Sequence, residues 1–146
     1  MANSADQIAV TVAKEYFARL DAGSAQLLDL FTEDAQIYFP KFGIGRGRSA
    51  LLDVLAGLGG AIQSVQHPTE SFVYTHAGNR LAVEGTTRGV LKTGTRWAAG
   101  ETPAGRFCNV FEFRGNLICR MHVYLDPDYA GDDKARFLWG TEGRSW

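Results

Sequence analysis

The feature that most constrains this chain is a change of hydrophobic rhythm near residue 63: apolar residues recur at helical spacing before it and alternate after it. In the first segment Ile8, Ala9, Val12, Ala13, Tyr16, Phe17 and Leu20 mark one helical face, with Ser4 and Gln7 placed as a capping box. Asp21-Ala22-Gly23 stops that run. Ser24 can cap a short second helix carrying Leu27, Leu28, Leu30 and Phe31. A short strand is expected over 35–39 and a third helix over 49–58, ended by Gly59-Gly60. Beyond the change, strands are expected at 65–76, 81–92, 95–99, 106–114 and 117–125, with turn signals between them. Helices first and an antiparallel meander afterwards predict an α+β fold.

A chain of 146 residues suits one domain, with a core over about 5–126 and a tail over 127–146. With 45% hydrophobic and 21% charged residues and a net charge of -1, it has no electrostatic footprint for nucleic acid. No stretch approaches the roughly 18 apolar residues needed to cross a bilayer. The N-terminus MANSADQ lacks the basic and apolar parts of a signal segment, so a cytoplasmic location is expected, with no membrane partner. Cys108 and Cys119 form no CxxC motif, and no His/Cys set has zinc spacing, so no metal is expected. The run Gly43-Ile44-Gly45-Arg46-Gly47-Arg48 lacks the spacing of a phosphate loop and reads as a turn into the third helix. No nucleotide or other cofactor is called for.

The last hairpin sorts side chains by face, because Phe107, Asn109, Phe111 and Phe113 alternate with Cys108, Val110, Glu112 and Arg114. A three-residue loop at Arg114-Gly115-Asn116 would set Phe113 opposite Leu117 and Asn109 opposite Met121. Cys119, Met121, Val123 and Leu125 would then face the helices, and His122, Tyr124 and Cys108 would face out. In that register the two cysteines lie on opposite faces and cannot bond. Outward Cys108, Val110 and Tyr124 form an apolar strip, which predicts a homodimer through the outer sheet face.

The ordered set YFARLDAG (16–23), LLDLFTEDA (27–35), the GxG turn at Gly45 to Gly47 and FEFRGNLICRMHVYLD (111–126) resembles the SnoaL-like family of the nuclear transport factor 2 superfamily. This family includes polyketide cyclases and is related to ketosteroid isomerase, limonene epoxide hydrolase, scytalone dehydratase and hexachlorocyclohexane dehydrochlorinase. The resemblance implies a cone: a strongly curved mixed or antiparallel sheet packed on three N-terminal helices and enclosing a pocket for a small hydrophobic ligand.

Matched to ketosteroid isomerase, the oxygen-binding donors fall on Tyr16 and Asn109, and the general-base aspartate falls on Phe39. Matched to the epoxide hydrolase, the charged set falls on Thr87, Gly85 and Val123, so that chemistry is lost too. Matched to the dehydratase and dehydrochlorinase, the catalytic His-Asp dyad falls on His67 and Asp21. A neutral imidazole is a base suited to pH 7, and a carboxylate on its second nitrogen fixes the tautomer. The resemblance therefore implies cofactor-independent proton transfer of lyase, isomerase or cyclase type on a small carbonyl or hydroxyl compound. His67, Asp21, Tyr16 and Asn109 would be catalytic. Phe39, Thr87, Trp97, Phe111, Met121 and Val123 would line the ligand. The plainer alternative is a binding or accessory protein with the same pocket, in which Tyr16 fills core and His67 is structural. The aromatics of the tail, at 129 and 137–139, could cover the pocket entrance, the core or a second subunit.

Overall fold

In the computed structural model, residues 4–137, 143, 145 and 146 are described. Helix α1 (Ser4–Asp21) buries Ala13, Tyr16 and Phe17, one stripe of its apolar face. It ends because Gly23 takes φ +62°, which lets the Ser24 and Gly23 N–H groups donate back to the Arg19 and Leu20 carbonyls at 2.9 and 3.1 Å. The expected second helix is a single 3-10 stretch, Ala25–Leu30, capped by Ser24 Oγ, which accepts from the Gln26 N–H at 3.2 Å. Phe31 already belongs to strand β1 (Phe31–Phe39). The GxG segment, read as a turn, pairs with β1 as the short strand β2 (Gly43–Arg46). Helix α2 (Ala50–Ala61) runs through Gly59-Gly60 instead of stopping there, and closes only where Ile62 turns extended.

The expected strand over 65–76 is two strands, β3 (Ile62–Gln66) and β4 (Val73–Ala77), separated by Pro68 and a 3-10 turn at Thr69–Ser71. Proline has no N–H to give a ladder, so pairing ends before it. The expected strand over 81–92 is likewise broken at Thr87 into β5 (Arg80–Thr86) and β6 (Arg88–Leu91). There the Thr87 N–H donates to Gly105 O at 2.7 Å and its carbonyl accepts from the Ala99 N–H at 3.2 Å. With β7 (Arg96–Ala98), β8 (Arg106–Arg114) and β9 (Leu117–Leu125), the strands form a six-stranded sheet, β2-β1-β9-β8-β5-β4, and a three-stranded sheet, β3-β6-β7. Because β5 and β6 are separated by Thr87 alone, that residue is the corner at which the curved surface folds over. The larger sheet is mixed, since β1 runs parallel to β9.

Within the β8–β9 hairpin the register differs by two residues from the expected one: Asn109 faces Val123 and Phe111 faces Met121. The turn is two residues, and a bulge at Cys119 sets Phe113 against Ile118 but Glu112 against Arg120. A shift of two preserves the faces. Met121 and Val123 point inward as expected, while Ile118 takes the buried place assigned to Cys119, whose thiol donates to Glu112 O at 3.4 Å. Cys108 pairs with Tyr124, and both cysteines are free. The core lies between the inner sheet face and the helices, with Phe17, Phe31, Ile37, Leu81, Phe111 and Ile118 almost completely buried.

Candidate functional site

Asp21 is the last residue of α1, a position where the helix macrodipole disfavours negative charge. Its carboxylate is held from the other side by His67, which stands one residue past the end of β3. The His67 backbone N–H donates to Oδ2 at 2.8 Å, and Nδ1 lies 2.5 Å from Oδ1. Because a carboxylate accepts, Nδ1 is the protonated nitrogen in this pair and Nε2 carries the lone pair. Among the described residues no hydrogen bond is made by Nε2. Pro68 fixes the chain directly after His67, and Ser71 Oγ donates to Pro68 O at 2.9 Å, so the dyad sits on a stiff corner.

Aromatic rings close around the imidazole. Phe17 lies 5.0 Å away at 32° and Phe107 5.7 Å away at 76°. Phe72 packs on both of them, at 5.4 and 5.3 Å. The His67 side chain is 9% exposed against 26% for Asp21, so water reaches the acid end of the dyad more readily than the base. Gly85 makes this closure possible, since a Cβ there would stand 2.6 Å from Phe107 and 2.7 Å from Phe72. None of these phenylalanines was singled out as a site residue in the sequence, although Phe17 and Phe107 carry the inward phase of their elements.

Tyr16 is buried in an aromatic group with Phe17, Phe31 and Phe111, at 5.0, 6.0 and 5.5 Å. Burial, then the charge of Asp21, then the phenol of Tyr129, push its acidity down, so the hydroxyl is a neutral donor. Asn109 lies on the inner sheet face, and among the described residues its side chain makes one hydrogen bond, a weak donation from Nδ2 to Met121 Sδ at 3.8 Å. Buried polar groups are ordinarily paired. The Tyr16 hydroxyl and the Asn109 carboxamide oxygen have no hydrogen-bond partner among the described residues.

The residues expected to line a ligand are all buried: Phe39, Thr87, Trp97, Phe111, Met121 and Val123. Thr87 does not offer a free hydroxyl, because its Oγ1 accepts from Trp97 Nε1 at 3.0 Å. A hollow of about 1050 Å3 borders the tail at Lys41, Pro103, Asp126, Asp128 and Trp146, with none of the four dyad and donor residues in its wall. Of the expected lining residues only Trp97 borders another, a groove of about 420 Å3 beside Gln66 and Arg88. Arg88 there donates to Gln66 Oε1 at 2.7 Å. His76 lies 3.4 Å from Asp6 across a contact to α1. Tyr129 was read only as part of the tail; its ring packs on Trp97 at 4.6 Å. Leu138 and Trp139 lie outside the described residues. Among the described residues no helix is long and apolar enough to cross a membrane, and no cluster of three metal-ligating side chains occurs.

The geometry can be set beside known proteins. An NTF2-like protein from Anabaena variabilis superposes with TM-score 0.71 at 21% identity, covering 89% of this chain and 97% of that one. A "putative polyketide cyclase" from Xanthomonas campestris pv. campestris gives TM-score 0.69 at 22% identity, over 84% and 93%. A "putative isomerase" from Bacillus subtilis gives 0.71 at 16% identity, over 91% and 96%. At these identities the likeness establishes the fold. No curated protein matches in sequence. The SnoaL-like domain matches residues 13–121, a span that runs from the middle of α1 to Met121 and includes the dyad, Tyr16 and Asn109. This chain belongs to the SnoaL-like family and has its NTF2-like fold.

Proposed function

We propose that the protein is a cofactor-independent proton-transfer enzyme of lyase, isomerase or cyclase type, acting on a small hydrophobic carbonyl or hydroxyl compound. The observation that carries this reading is the His67–Asp21 contact at 2.5 Å, which orients one imidazole nitrogen and leaves the other unpaired among phenyl rings. Nε2 takes a proton beside a carbonyl or a leaving group, and Asp21 stabilises the imidazolium that forms. Tyr16 and Asn109 donate to the oxygen that gains charge, where a low-dielectric interior makes each donor worth more than in water. Single-turnover assays on ketones and β-hydroxy ketones test this. H67A and Y16F should each lower conversion by two or more orders of magnitude, on the order of the 10²–10⁴ that general acid–base catalysis contributes. Conversion that survives both substitutions overturns the mechanism.

A second reading, a binding or accessory protein without chemistry, draws on the packed interior and on apolar or neutral residues at Phe39, Thr87 and Val123. Ligand uptake with full affinity in H67A and no turnover in the parent protein would favour it.

We also propose a homodimer through the outer sheet face. Strand register puts Ile44, Tyr38, His122 and Val110 in one outward row and Tyr124, Cys108 and Val73 in the next. Ile44, Val73 and Tyr124 are among the exposed large apolar residues. Sedimentation of the parent protein and Y124E decides: a dimer that the substitution dissociates is expected.

A further inference from the structure

The outward face of the three-stranded sheet carries charge that the fold does not use. Register places Ser64 opposite Val90 and Val90 opposite Arg96 in one row across β3, β6 and β7, with Gln66, Arg88 and Ala98 in the next. Trp97, paired with Gly89, belongs to the opposite face and is fully buried, so these two rows look away from the core. Arg88 and Arg96 are therefore diagonal neighbours on one face, about 7–8 Å apart between Cα atoms. Both are exposed. Like charges this close repel, and an acid on a neighbouring strand is the ordinary remedy. The three strands contain no acid.

The same two rows line the groove of about 420 Å3 beside Trp97. Val90, at the centre of its row, and Ala98 give it an apolar patch, and donors stand around them. Arg88 gives Nε to Gln66 Oε1 at 2.7 Å, which holds the guanidinium and leaves its two terminal nitrogens without a partner among the described residues. The Arg96 guanidinium and the Ser64 hydroxyl likewise make no hydrogen bond to a described residue. Glu101, on the loop after β7, is the one acid among the described wall residues, and it pairs with neither arginine. The groove thus sets two cationic forks against one carboxylate, in a chain whose net charge is -1.

We propose that this groove is a binding site for a small phosphate monoester, on the face of the sheet opposite Trp97 and independent of the chemistry assigned to His67. A phosphoryl group presents three terminal acceptor oxygens and close to two negative charges. Guanidinium forks match that geometry, and two of them reaching from adjacent strands, with the Ser64 hydroxyl, supply a donor group for each oxygen. A carboxylate, with two oxygens and one charge, leaves one of those groups unused. Val90 and Ala98 receive the apolar part of the ester, and the size of the groove falls within the range of small-molecule sites, about 300–1,000 Å3.

Calorimetric titration of the full chain with phenyl phosphate, inorganic phosphate and benzoate at fixed ionic strength tests this. Phenyl phosphate should bind most tightly, inorganic phosphate next and benzoate least. R88Q and R96Q should each weaken phenyl phosphate about tenfold or more, the range of a hydrogen bond to a charged group. R96K keeps the charge but loses the fork, and should weaken it as well. R114Q removes the same charge from the hairpin end of the other sheet, where Arg114 pairs with Asp34 at 3.0 Å, and should change binding less than about twofold. Because Arg88 also holds Gln66, R88Q disturbs a strand contact; Arg96 has no such bond, so R96Q decides. Equal losses in R96Q and R114Q would mean a general response to net charge, and the proposal would be wrong. It is equally wrong if the parent protein binds phenyl phosphate no better than benzoate. No turnover is measured, so failure here and failure of the His67–Asp21 mechanism are read separately.

Discussion

Gly85→Ala probes the packing beneath the dyad without requiring a substrate. A Cβ at this position would lie 2.6 and 2.8 Å from two ring atoms of Phe107 and 2.7 Å from one of Phe72. These are edges of buried rings, not the free ends of flexible side chains. The two rings stand 5.3 Å apart and both abut Phe17, which in turn stacks on His67, so neither can retreat without disturbing the imidazole. Overpacking of this kind costs about 1–3 kcal/mol. Gly85 is not among the positive-φ glycines, so replacing it in a strand recovers about 0.5–1 kcal/mol. A net loss of about 1–2 kcal/mol is expected in urea unfolding, read as a lower midpoint at constant slope. F107L alone should also destabilise, by leaving a cavity, yet in the G85A background it makes room for the new methyl. The double variant should therefore be more stable than the sum of the two losses predicts. A G85A protein as stable as the parent, or losses that simply add, would refute the account of why a glycine stands there.

W97F removes the indole N–H donated to Thr87 and trims a fully buried ring, so thermal unfolding should show a loss of about 2–3 kcal/mol; T87V, which strands the same N–H, should cost about 1–3 kcal/mol. His122 is packed between Gln36, Arg120 and Tyr124, and burial followed by the charges of Arg120 and Arg80 holds its protonated form below the usual range. A depressed histidine favours the neutral folded state, so its contribution is complete above the unfolded value of about 6.5 and is lost as pH falls through the folded value. H122Q should accordingly flatten the stability profile below about pH 6.5, and an unchanged slope there would contradict this. S24A removes the cap of the 3-10 stretch and should cost about 0.5–1 kcal/mol by urea titration.

The fold was legible where one face of an element is wet and the other dry. Strands β8 and β9 have the bounds that alternation predicts, because Phe107, Asn109, Phe111 and Phe113 cannot exchange faces with Cys108, Val110, Glu112 and Arg114 without exposing three rings. Register within that hairpin was not legible, since a shift of two keeps every face. Only the bulge at Cys119 fixes it. Breaks within apolar runs were also hidden: Thr87 is an ordinary strand residue, and its role as a corner depends on Gly105 and Ala99, which approach only in the folded chain. For the candidate site, family resemblance pointed to His67, Asp21, Tyr16 and Asn109, of which His67 and Asp21 are in contact. The cage of Phe17, Phe72 and Phe107 around His67 went unread, because one buried phenylalanine looks like another in sequence.

Residues that follow local rules here build the scaffold, and residues that break them gather at one place. Asp21 puts a carboxylate at the end of a helix that repels it, and Pro68, directly after the imidazole, denies the chain a further ladder donor. Each of these is costly if the only task is to fold. A histidine serving structure alone gains most by pairing both ring nitrogens, as His122 does with Gln36 on one side and Arg120 and Tyr124 on the other. His67 instead pairs one nitrogen and keeps its ring between Phe17 and Phe107. The same chain therefore contains its own control, and the contrast between His67 and His122 supports the proposed role of His67 as the base.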